Sequence, residues 1–363
     1  MPRNILLAVP ALALAAATAI LAAGAGASAQ VQVTIEEFDL PTPDSLPHDP
    51  AAAPDGSLWY TGQRANLLGR LDPATGKIRE FPLKTPGSGP HGLVADEDGK
   101  IWFTANAKGY IGRLDPATGE VKEYPMPDPA AGDPHTPVFD PAGILWFTVQ
   151  RGNFVGRLDP ASGAVRLRPV PTANARPYGI VAGPEGVPFF CELGTNKLAA
   201  IHPETMAVTE YPLPEGARPR RLTAAPDGSI YYSDYARGFL GRLEPDSGRV
   251  EEWPSPGGAA SKPYGIAATP DGAVWYSESG IQPNTIVRFD PKTKTLRSWP
   301  IPSGGGVVRH MVATPKGKLY IACSGVNKVG IVRISLGDVP GSLINPAQYR
   351  EFSLSSIGKT IDR

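Results

Sequence analysis

The chain has 363 residues, and its 35 basic and 35 acidic side chains give no general electrostatic attraction to nucleic acid or to an anionic membrane. Gly and Pro each occur 41 times, which disfavours a helical fold, while six Trp and a hydrophobic content of 41% argue against disorder. The presence of only two Cys excludes a disulfide scaffold and a cysteine-built zinc site. We therefore expect an all-β protein of many short strands, with no nucleic-acid partner.

The first thirty residues have the composition of a secretory signal peptide. Arg3 precedes an apolar run of Ala, Leu and Ile, and Ala27 and Ala29 fit the small-residue positions of a cleavage site. An uncleaved membrane anchor is the alternative, because the apolar run approaches spanning length. The single basic residue and the alanine-rich run favour cleavage. We expect residues 1–29 to be removed and the mature protein to be secreted or periplasmic, with no membrane span after cleavage.

From residue 31 onwards, one sequence unit recurs seven times. Its clearest copy contains Pro90-His91-Gly92-Leu93, Asp98-Gly99, Ile101-Trp102-Phe103-Thr104, Ile111-Gly112-Arg113-Leu114 and Glu123-Tyr124-Pro125. One aromatic position of the unit recurs at intervals of 42 to 45 residues, as Trp59, Trp102, Trp146, Phe189, Tyr231, Trp275 and Tyr320. A period of ~40–45 residues with several short strands per copy is typical of β-propeller blades.

Each copy divides into four strands, which we name A to D in chain order. In the clearest copy, strand A covers 92–95, strand B begins after an Asp-Gly turn, strand C covers 111–114 and strand D covers 121–124. We predict a seven-bladed β-propeller with four antiparallel strands per blade over residues 30–336. Its blades are expected to start near residues 48, 91, 135, 178, 220, 264 and 309.

A closed propeller needs a terminal strand to complete its last blade, since an open sheet edge would otherwise remain. Residues 33–38 are predicted to be this strand, detached from the copy to which they would belong and paired in blade 7. Residues 349–352 are the alternative, and they lie in a C-terminal extension of residues 337–363. We favour the N-terminal strand.

Two positions of the repeat are expected to line one mouth of the central channel. Strand A lies nearest the channel, and its start adjoins the end of strand B because the two strands are antiparallel. The position at the start of strand A holds His48, His91, His135, Tyr178, Arg220, Tyr264 and Arg309. The position at the end of strand B holds Gly62, Ala105, Val149, Glu192, Asp234, Glu278 and Cys323. Imidazoles therefore belong to blades 1 to 3 and carboxylates to blades 4 to 6.

Polar groups concentrated at one concave rim indicate a binding site. We identify His91 and His135 as candidate catalytic bases, and the candidate substrate-binding residues are His48, Tyr178, Arg220, Arg309 and His310. Carboxylates suit Mg²⁺ or Ca²⁺, and the candidate metal ligands are Glu192, Asp234 and Glu278. In a variant of this hypothesis, three imidazoles hold Zn²⁺ or Fe²⁺ instead: His48, His91 and His135. For each single His, a hydrogen-bonded packing role stays open as the alternative.

The repeated phrase resembles that of the virginiamycin B (streptogramin B) lyase family over residues 31–336. The resemblance implies a seven-bladed propeller that opens a cyclic depsipeptide by elimination at its ester linkage, with help from Mg²⁺. It also implies a general base at the strand A position and a metal-binding Glu at the strand B position of one late blade. In this chain those positions are Tyr264, which stands where the family has His, and Glu278.

Two functions follow as expectations. The first is a metal-assisted carbon–oxygen lyase, active as a monomer on an ester, a lactone or a peptide-like ligand at the channel mouth, with Tyr264 among the catalytic candidates. The second is a non-catalytic propeller that binds a small molecule, a glycan or a protein on the same face.

Overall fold

The structure is a computed structural model, and it describes residues 31–336. These residues form seven antiparallel sheets of four strands each, as predicted. The first strand of each blade contacts the first strand of the next, and the first strand of blade 7 contacts that of blade 1. The blades therefore close into one ring around a central channel.

The strands of blades 1 to 6 follow the chain order within each sheet. Blades 1 and 2 consist of β2 (Pro47–Ala52), β3 (Leu58–Gly62), β4 (Leu67–Leu71), β5 (Ile78–Pro82), β6 (Pro90–Ala95), β7 (Ile101–Ala105), β8 (Tyr110–Leu114) and β9 (Val121–Pro125). Blades 3 and 4 consist of β10 (Pro134–Phe139), β11 (Leu145–Val149), β12 (Phe154–Leu158), β13 (Val165–Pro169), β14 (Pro177–Ala182), β15 (Pro188–Glu192), β16 (Lys197–Ile201) and β17 (Val208–Pro212). Blades 5 and 6 consist of β18 (Pro219–Ala224), β19 (Ile230–Asp234), β20 (Phe239–Glu244), β21 (Arg249–Pro254), β22 (Pro263–Ala268), β23 (Val274–Glu278), β24 (Thr285–Asp290) and β25 (Thr295–Pro300).

Blade 7 is completed by the N-terminal strand, which confirms the favoured prediction. Its sheet contains β26 (Val308–Ala313), β27 (Leu319–Cys323) and β28 (Lys328–Leu336), and its outer strand is β1 (Val31–Asp39). The carboxylate of Glu37 in β1 accepts hydrogen bonds from the backbone and the hydroxyl of Ser303. The alternative strand, the C-terminal extension and the predicted signal peptide lie outside the described residues.

Strand A begins about two residues earlier than the sequence pattern predicted, because each strand A contains a β-bulge. In blade 1, Pro47 pairs with Gly62 and Pro50 pairs with Tyr60, so one strand has an extra residue between the two pairs. The same register shift recurs in the other six blades. A bulge interrupts the alternation of side chains, so neighbouring residues such as His48 and Asp49 can both contribute to the channel.

The repeated aromatic and Gly-Arg-Leu motifs form the core of each blade. In blade 2, the Trp102 ring stacks on Tyr124 at 5.4 Å between centroids, and its Nε1 donates to Asp96 at 2.8 Å. The Arg113 guanidinium lies 5.5 Å from the Trp102 ring centroid. Gly112 packs directly under Phe103, because a Cβ atom there would lie 2.2 Å from that ring. These motifs therefore have a structural role in the blades.

The remaining regular elements of residues 31–336 are four 3₁₀ turns: Pro129–Ala131, Pro184–Gly186, Ala259–Ser261 and Ser324–Val326. Within the same residues, no helix has the length and hydropathy that a membrane span requires.

Candidate functional site

The strand A residues of blades 1 to 4 stack ring against ring inside the channel. The ring centroids of His48 and His91 are 3.8 Å apart, and the same distance separates His91 from His135. The Tyr178 ring lies 4.0 Å from His135. All four side chains are buried. The structure thus brings these four predicted residues together. They form a packed stack of rings and do not line an open channel mouth.

The stack is continued by the strand A residues of blades 5 and 6. The hydroxyl of Tyr178 hydrogen-bonds to that of Tyr264, which is 1% exposed. The Arg220 guanidinium lies over both rings, 4.2 Å from the Tyr264 centroid and 5.2 Å from that of Tyr178. Arg309 of blade 7 is close enough to His48 for its charge to lower the pKa of that imidazole. Arg220 and Arg309 are only half-buried, so they supply positive charge where the channel opens.

The preceding blade holds four of these strand A residues in place, His91, His135, Tyr178 and Tyr264. A hydroxyl near the end of strand B donates to the backbone carbonyl of the strand A residue in the next blade. Thr61 donates to His91 at 2.8 Å, Thr104 to His135 at 2.7 Å and Ser233 to Tyr264 at 2.7 Å. The Trp-Phe-Thr motif of strand B therefore sets the position of the candidate site.

A second layer lies next to the stack, and the sequence prediction did not include most of it. The residue after the strand A position is glycine in blades 2, 4 and 6, and polar in the other blades: Asp49, Thr136, Arg221 and His310. Only His310 was predicted as part of the site. The alternation of Gly with polar residues at this position is the signal that could have identified the layer.

The glycines of this layer allow neighbouring strands to approach closely. A Cβ atom on Gly92 would lie 2.7 Å from the His135 carbonyl oxygen, and one on Gly265 would lie 2.9 Å from the His310 carbonyl carbon. Real side chains do not tolerate such distances to backbone atoms. Polar side chains can therefore occur in this layer only in the blades between the glycines.

Asp49 and Arg221 form a buried ion pair that joins blade 1 to blade 5. The Arg221 guanidinium donates to both carboxylate oxygens of Asp49, at 2.8 and 2.9 Å, and to the Thr136 hydroxyl at 3.2 Å. Both charged side chains are 1% exposed. Burial alone would raise the pKa of Asp49, but the charge of Arg221 and the hydrogen bond with His48 hold it well below its usual range. Asp49 is therefore ionised at neutral pH.

The carboxylate of Asp49 fixes the orientation of the His48 imidazole in the channel. Its Nδ1–H donates to Asp49 Oδ1 at 2.8 Å, which leaves Nε2 with a free lone pair. Burial lowers the pKa of His48, and the hydrogen bond and charge of Asp49 oppose that decrease. The pair has the arrangement of a base and the group that orients it.

The other imidazoles are held neutral more strongly. Burial, together with the neighbouring His135 and His48, lowers the pKa of His91 well below its usual range. Burial and the charge of Arg221 do the same to His135. His310 is affected in the same way, and its pKa falls to about 3.

Tyr264 retains its proton. Burial and the neighbouring Tyr178 hydroxyl raise its pKa, although Arg220 and Arg221 act in the opposite direction. A phenol in this environment donates hydrogen bonds at neutral pH and does not act as a base.

The three predicted metal ligands lie at the same end of their blades as the imidazoles, since each pairs with the first residue of strand A. Their side chains have separate partners. Glu278 accepts from the Ser255 hydroxyl at 2.5 Å, from the Gly257 backbone at 2.6 Å and from the Thr285 hydroxyl at 2.5 Å. Asp234 pairs with Arg237 at 2.5 Å.

Glu192 differs from the other two acids, because its Oε1 is buried and has no hydrogen-bond partner within the described chain. Burial, with the charge of Glu210 next, raises its pKa to about 7. The acid is thus partly protonated at neutral pH in this environment.

A shared cation site for the three acids does not form in residues 31–336. Both oxygens of Glu278 are already engaged by hydrogen-bond donors of the protein, and only one group of possible metal ligands has its atoms within 4.8 Å of one another: His48, Asp49 and His91. Asp49 in that group is engaged by Arg221. The divalent metal stays a prediction, and no chemical step below depends on it.

Comparison with known proteins assigns the family. The sequence model of the virginiamycin B lyase family matches residues 21–187 and 169–341. The chain belongs to the virginiamycin B lyase family. The matches cover all seven blades, which confirms the resemblance recognised in the repeat.

Solved structures of this family are similar over nearly their whole length. A streptogramin B lyase structure is 28% identical, with a TM-score of 0.76, over 84% of this chain and 98% of the other. A catalytically inactive His-to-Ala variant of virginiamycin B lyase from Staphylococcus aureus, crystallised with quinupristin, is 26% identical, with a TM-score of 0.75, over 83% and 99%. Hydrazine synthase from Kuenenia stuttgartiensis, at 17% identity and a TM-score of 0.69 over 82% and 98%, shares the fold alone. No curated protein sequence matches this chain.

Proposed function

We propose that this protein is a carbon–oxygen lyase that opens the ester or lactone ring of a cyclic, peptide-like molecule at the channel mouth, with His48 as its base. The observation that carries the proposal is the hydrogen bond between His48 and the buried, ionised Asp49. Membership in the virginiamycin B lyase family supports the reaction class. The proposal replaces His91 and His135, the bases predicted from the sequence, by their neighbour in the stack.

In this mechanism, His48 Nε2 removes a proton from a carbon next to a carbonyl group. The electron pair of that C–H bond forms a double bond to the adjacent carbon. The bond between that adjacent carbon and the ester oxygen breaks. The departing oxygen leaves as part of a carboxylate, and no water is consumed. Asp49 keeps the Nδ1 proton on His48 and stabilises the imidazolium that forms.

The cations at the mouth supply the electrostatic part of this mechanism. Negative charge develops first on the carbonyl oxygen and then on the departing carboxylate, and Arg220 and Arg309 are the half-buried guanidinium groups beside the stack. Tyr264 retains its proton and is hydrogen-bonded to Tyr178, so it does not act as the base. His91 and His135 form the neutral wall against which the imidazole of His48 is held.

The test is the mass of the product. Purified protein is incubated with quinupristin, and a ring-opened product with the mass of the substrate is expected, whereas hydrolysis would add one water. We expect His48→Ala to lower turnover by about 10²–10⁴-fold, since a positioned base contributes that much. Asp49→Asn should have a smaller effect in the same direction.

Asp98→Asn is the matched control, because it makes the same chemical change in an exposed turn remote from the channel. Normal turnover by a folded His48→Ala variant, or a product heavier by one water, would contradict the mechanism.

A non-catalytic propeller is the second candidate, and one observation favours it. The position of the family's base holds Tyr264, which is buried and hydrogen-bonded to Tyr178. Two results would support this candidate over the lyase. The protein would bind the depsipeptide without forming a product, and the Arg220→Ala variant would bind it more weakly.

Export remains a proposal that rests on residues 1–29. Secretion of the full-length chain by a bacterial host should yield a protein whose N-terminus lies near Gln30. A membrane-retained chain with an intact N-terminus would support the anchor instead.

A further inference from the structure

A groove between blades 4 and 5 has a volume of about 750 Å³. Its walls include the start of strand B and the end of strand C in both blades, so it lies at the sheet ends opposite to the candidate site. Two aromatic rings of blade 4 line it, those of Phe189 and Tyr211, with their centroids 6.2 Å apart.

In other blades, an arginine side chain occupies the space that corresponds to this groove. An arginine of strand C lies over the strand B tryptophan in blades 2, 3 and 6. The distance from the guanidinium carbon to the ring centroid is 5.5 Å for Arg113, 5.5 Å for Arg157 and 5.9 Å for Arg288. The repeat thus places a cation over this aromatic cluster.

Blade 4 lacks that cation. Phe189 stands at the tryptophan position, and the residue that pairs with it in strand C is Ala200. In blades 2 and 3, the tryptophan N–H donates to a turn aspartate, Asp96 or Asp140. The equivalent residue of blade 4 is Gly183. The Phe189 ring packs against Gly183, where a Cβ atom would lie 2.6 Å from it. The smaller side chain of Ala200 therefore leaves space on the groove side of Phe189 and Tyr211.

The charges around the groove favour a cationic occupant. Four carboxylates line it, from Glu185, Asp227, Glu244 and Asp246, against one guanidinium, that of Arg242. The guanidinium of Arg242 is already bound by the Ser229 hydroxyl at 2.8 Å and by Glu244 at 2.9 Å. Arg242 also pairs with Asp227, and Arg249 pairs with Glu244. The carboxylates of Glu185 and Asp246 are therefore the ones available to a ligand.

We propose that this groove binds an organic cation, the guanidinium of an arginine in a peptide, which takes the place of the missing strand C arginine of blade 4. A planar guanidinium can stack on the aromatic rings while it donates hydrogen bonds to the carboxylates at the rim. The groove is separate from the channel, so this binding does not depend on the lyase mechanism.

The proposal is tested by titration with acetyl-arginine amide, followed by NMR of the labelled protein. The matched neutral ligand is acetyl-citrulline amide, which has the same shape without the charge. We expect the arginine ligand to bind in the millimolar range, as is usual for a fragment of this size, and at least tenfold more tightly than the citrulline ligand. Equal affinity for the two ligands, or no binding of the arginine ligand at tens of millimolar, would overturn the proposal.

Ala200→Arg introduces the arginine that blades 1, 2, 3, 5 and 6 have at this position, and it should lower the affinity for acetyl-arginine amide at least tenfold. Its control is Ala161→Arg, which adds the same charge on an exposed loop of blade 3 and should leave the affinity unchanged. Because Ala200→Arg adds a large side chain to strand C, Asp246→Asn at an exposed rim position provides a second test, with an expected affinity loss of a few-fold. Unchanged affinity in both folded variants would contradict the assignment, whatever the turnover of depsipeptide.

Discussion

At the residue scale, the ion pair between Asp49 and Arg221 joins two blades that are 172 positions apart in the chain. Removing one partner of a buried pair leaves an uncompensated charge, so Arg221→Met should lower the free energy of unfolding by about 3–5 kcal/mol. Urea denaturation measures this change. The control is Arg70→Met, which removes one partner of the more exposed Arg70–Asp55 pair and should change it by less than about 1 kcal/mol. A similar decrease in the free energy of unfolding for the two variants would contradict the conclusion that the buried channel pair stabilises the fold more than the exposed pair does.

The sequence predicted the first layer of the channel but not this pair. The repeat aligns His48, His91 and His135 because they share one position in successive blades. Strict alternation along a strand would place Asp49 on the opposite face from His48, and the β-bulge in strand A is what allows both to enter the channel. Periodicity cannot reveal a bulge, nor can it show that Arg221 reaches across to Asp49.

At the scale of the element, β1 covers the outer edge of β28 and so removes an exposed sheet edge. Deletion of residues 31–39 should lower the thermal midpoint and produce concentration-dependent oligomers, since about 1 kcal/mol is lost for each unmade hydrogen bond. Thermal unfolding and size-exclusion chromatography measure these effects. Deletion of residues 345–363 is the control, and it should change neither property because the edge is already occupied. The reverse result would assign closure to the C-terminal candidate.

Strands and their order were predictable because turn residues delimit them in every copy. The Asp-Gly turns and the Gly-Arg-Leu motif place strands B and C correctly. The groove of blade 4 could not be predicted in the same way, because it depends on the pairing of Phe189 with Ala200 and on the space that the two residues leave together. An alignment of the copies shows each small residue, but only the register shows that they are neighbours.

At the scale of the whole molecule, four imidazoles are kept neutral by burial in the channel: His48, His91, His135 and His310. Below a pH of about 6.5, the unfolded chain binds protons at these residues and the folded chain does not, so stability is complete above that pH and is lost as the pH falls. Each imidazole contributes a loss of about 1.4 kcal/mol per pH unit. Glu192 acts in the opposite direction, because its raised pKa favours the folded state at low pH and that contribution is lost as the pH rises towards 7.

We therefore expect the free energy of unfolding to fall by roughly 3–4 kcal/mol between pH 7.5 and pH 5.5, as the four imidazoles outweigh the single acid. Urea denaturation at the two pH values measures this difference. His135→Gln should reduce it by about 1.4 kcal/mol, because one titrating imidazole is removed. Equal stability at both pH values would contradict this account, because the folded chain would then bind as many protons as the unfolded chain over this range.

The most direct test of the function proposed for the channel is a crystal structure of the His48→Ala variant with quinupristin bound. Our account predicts that the ester of the ligand lies in the space left by the imidazole, with its carbonyl group next to Arg220 or Arg309. A ligand bound elsewhere on the propeller, with the stack of His91, His135 and Tyr178 inaccessible to it, would contradict that account.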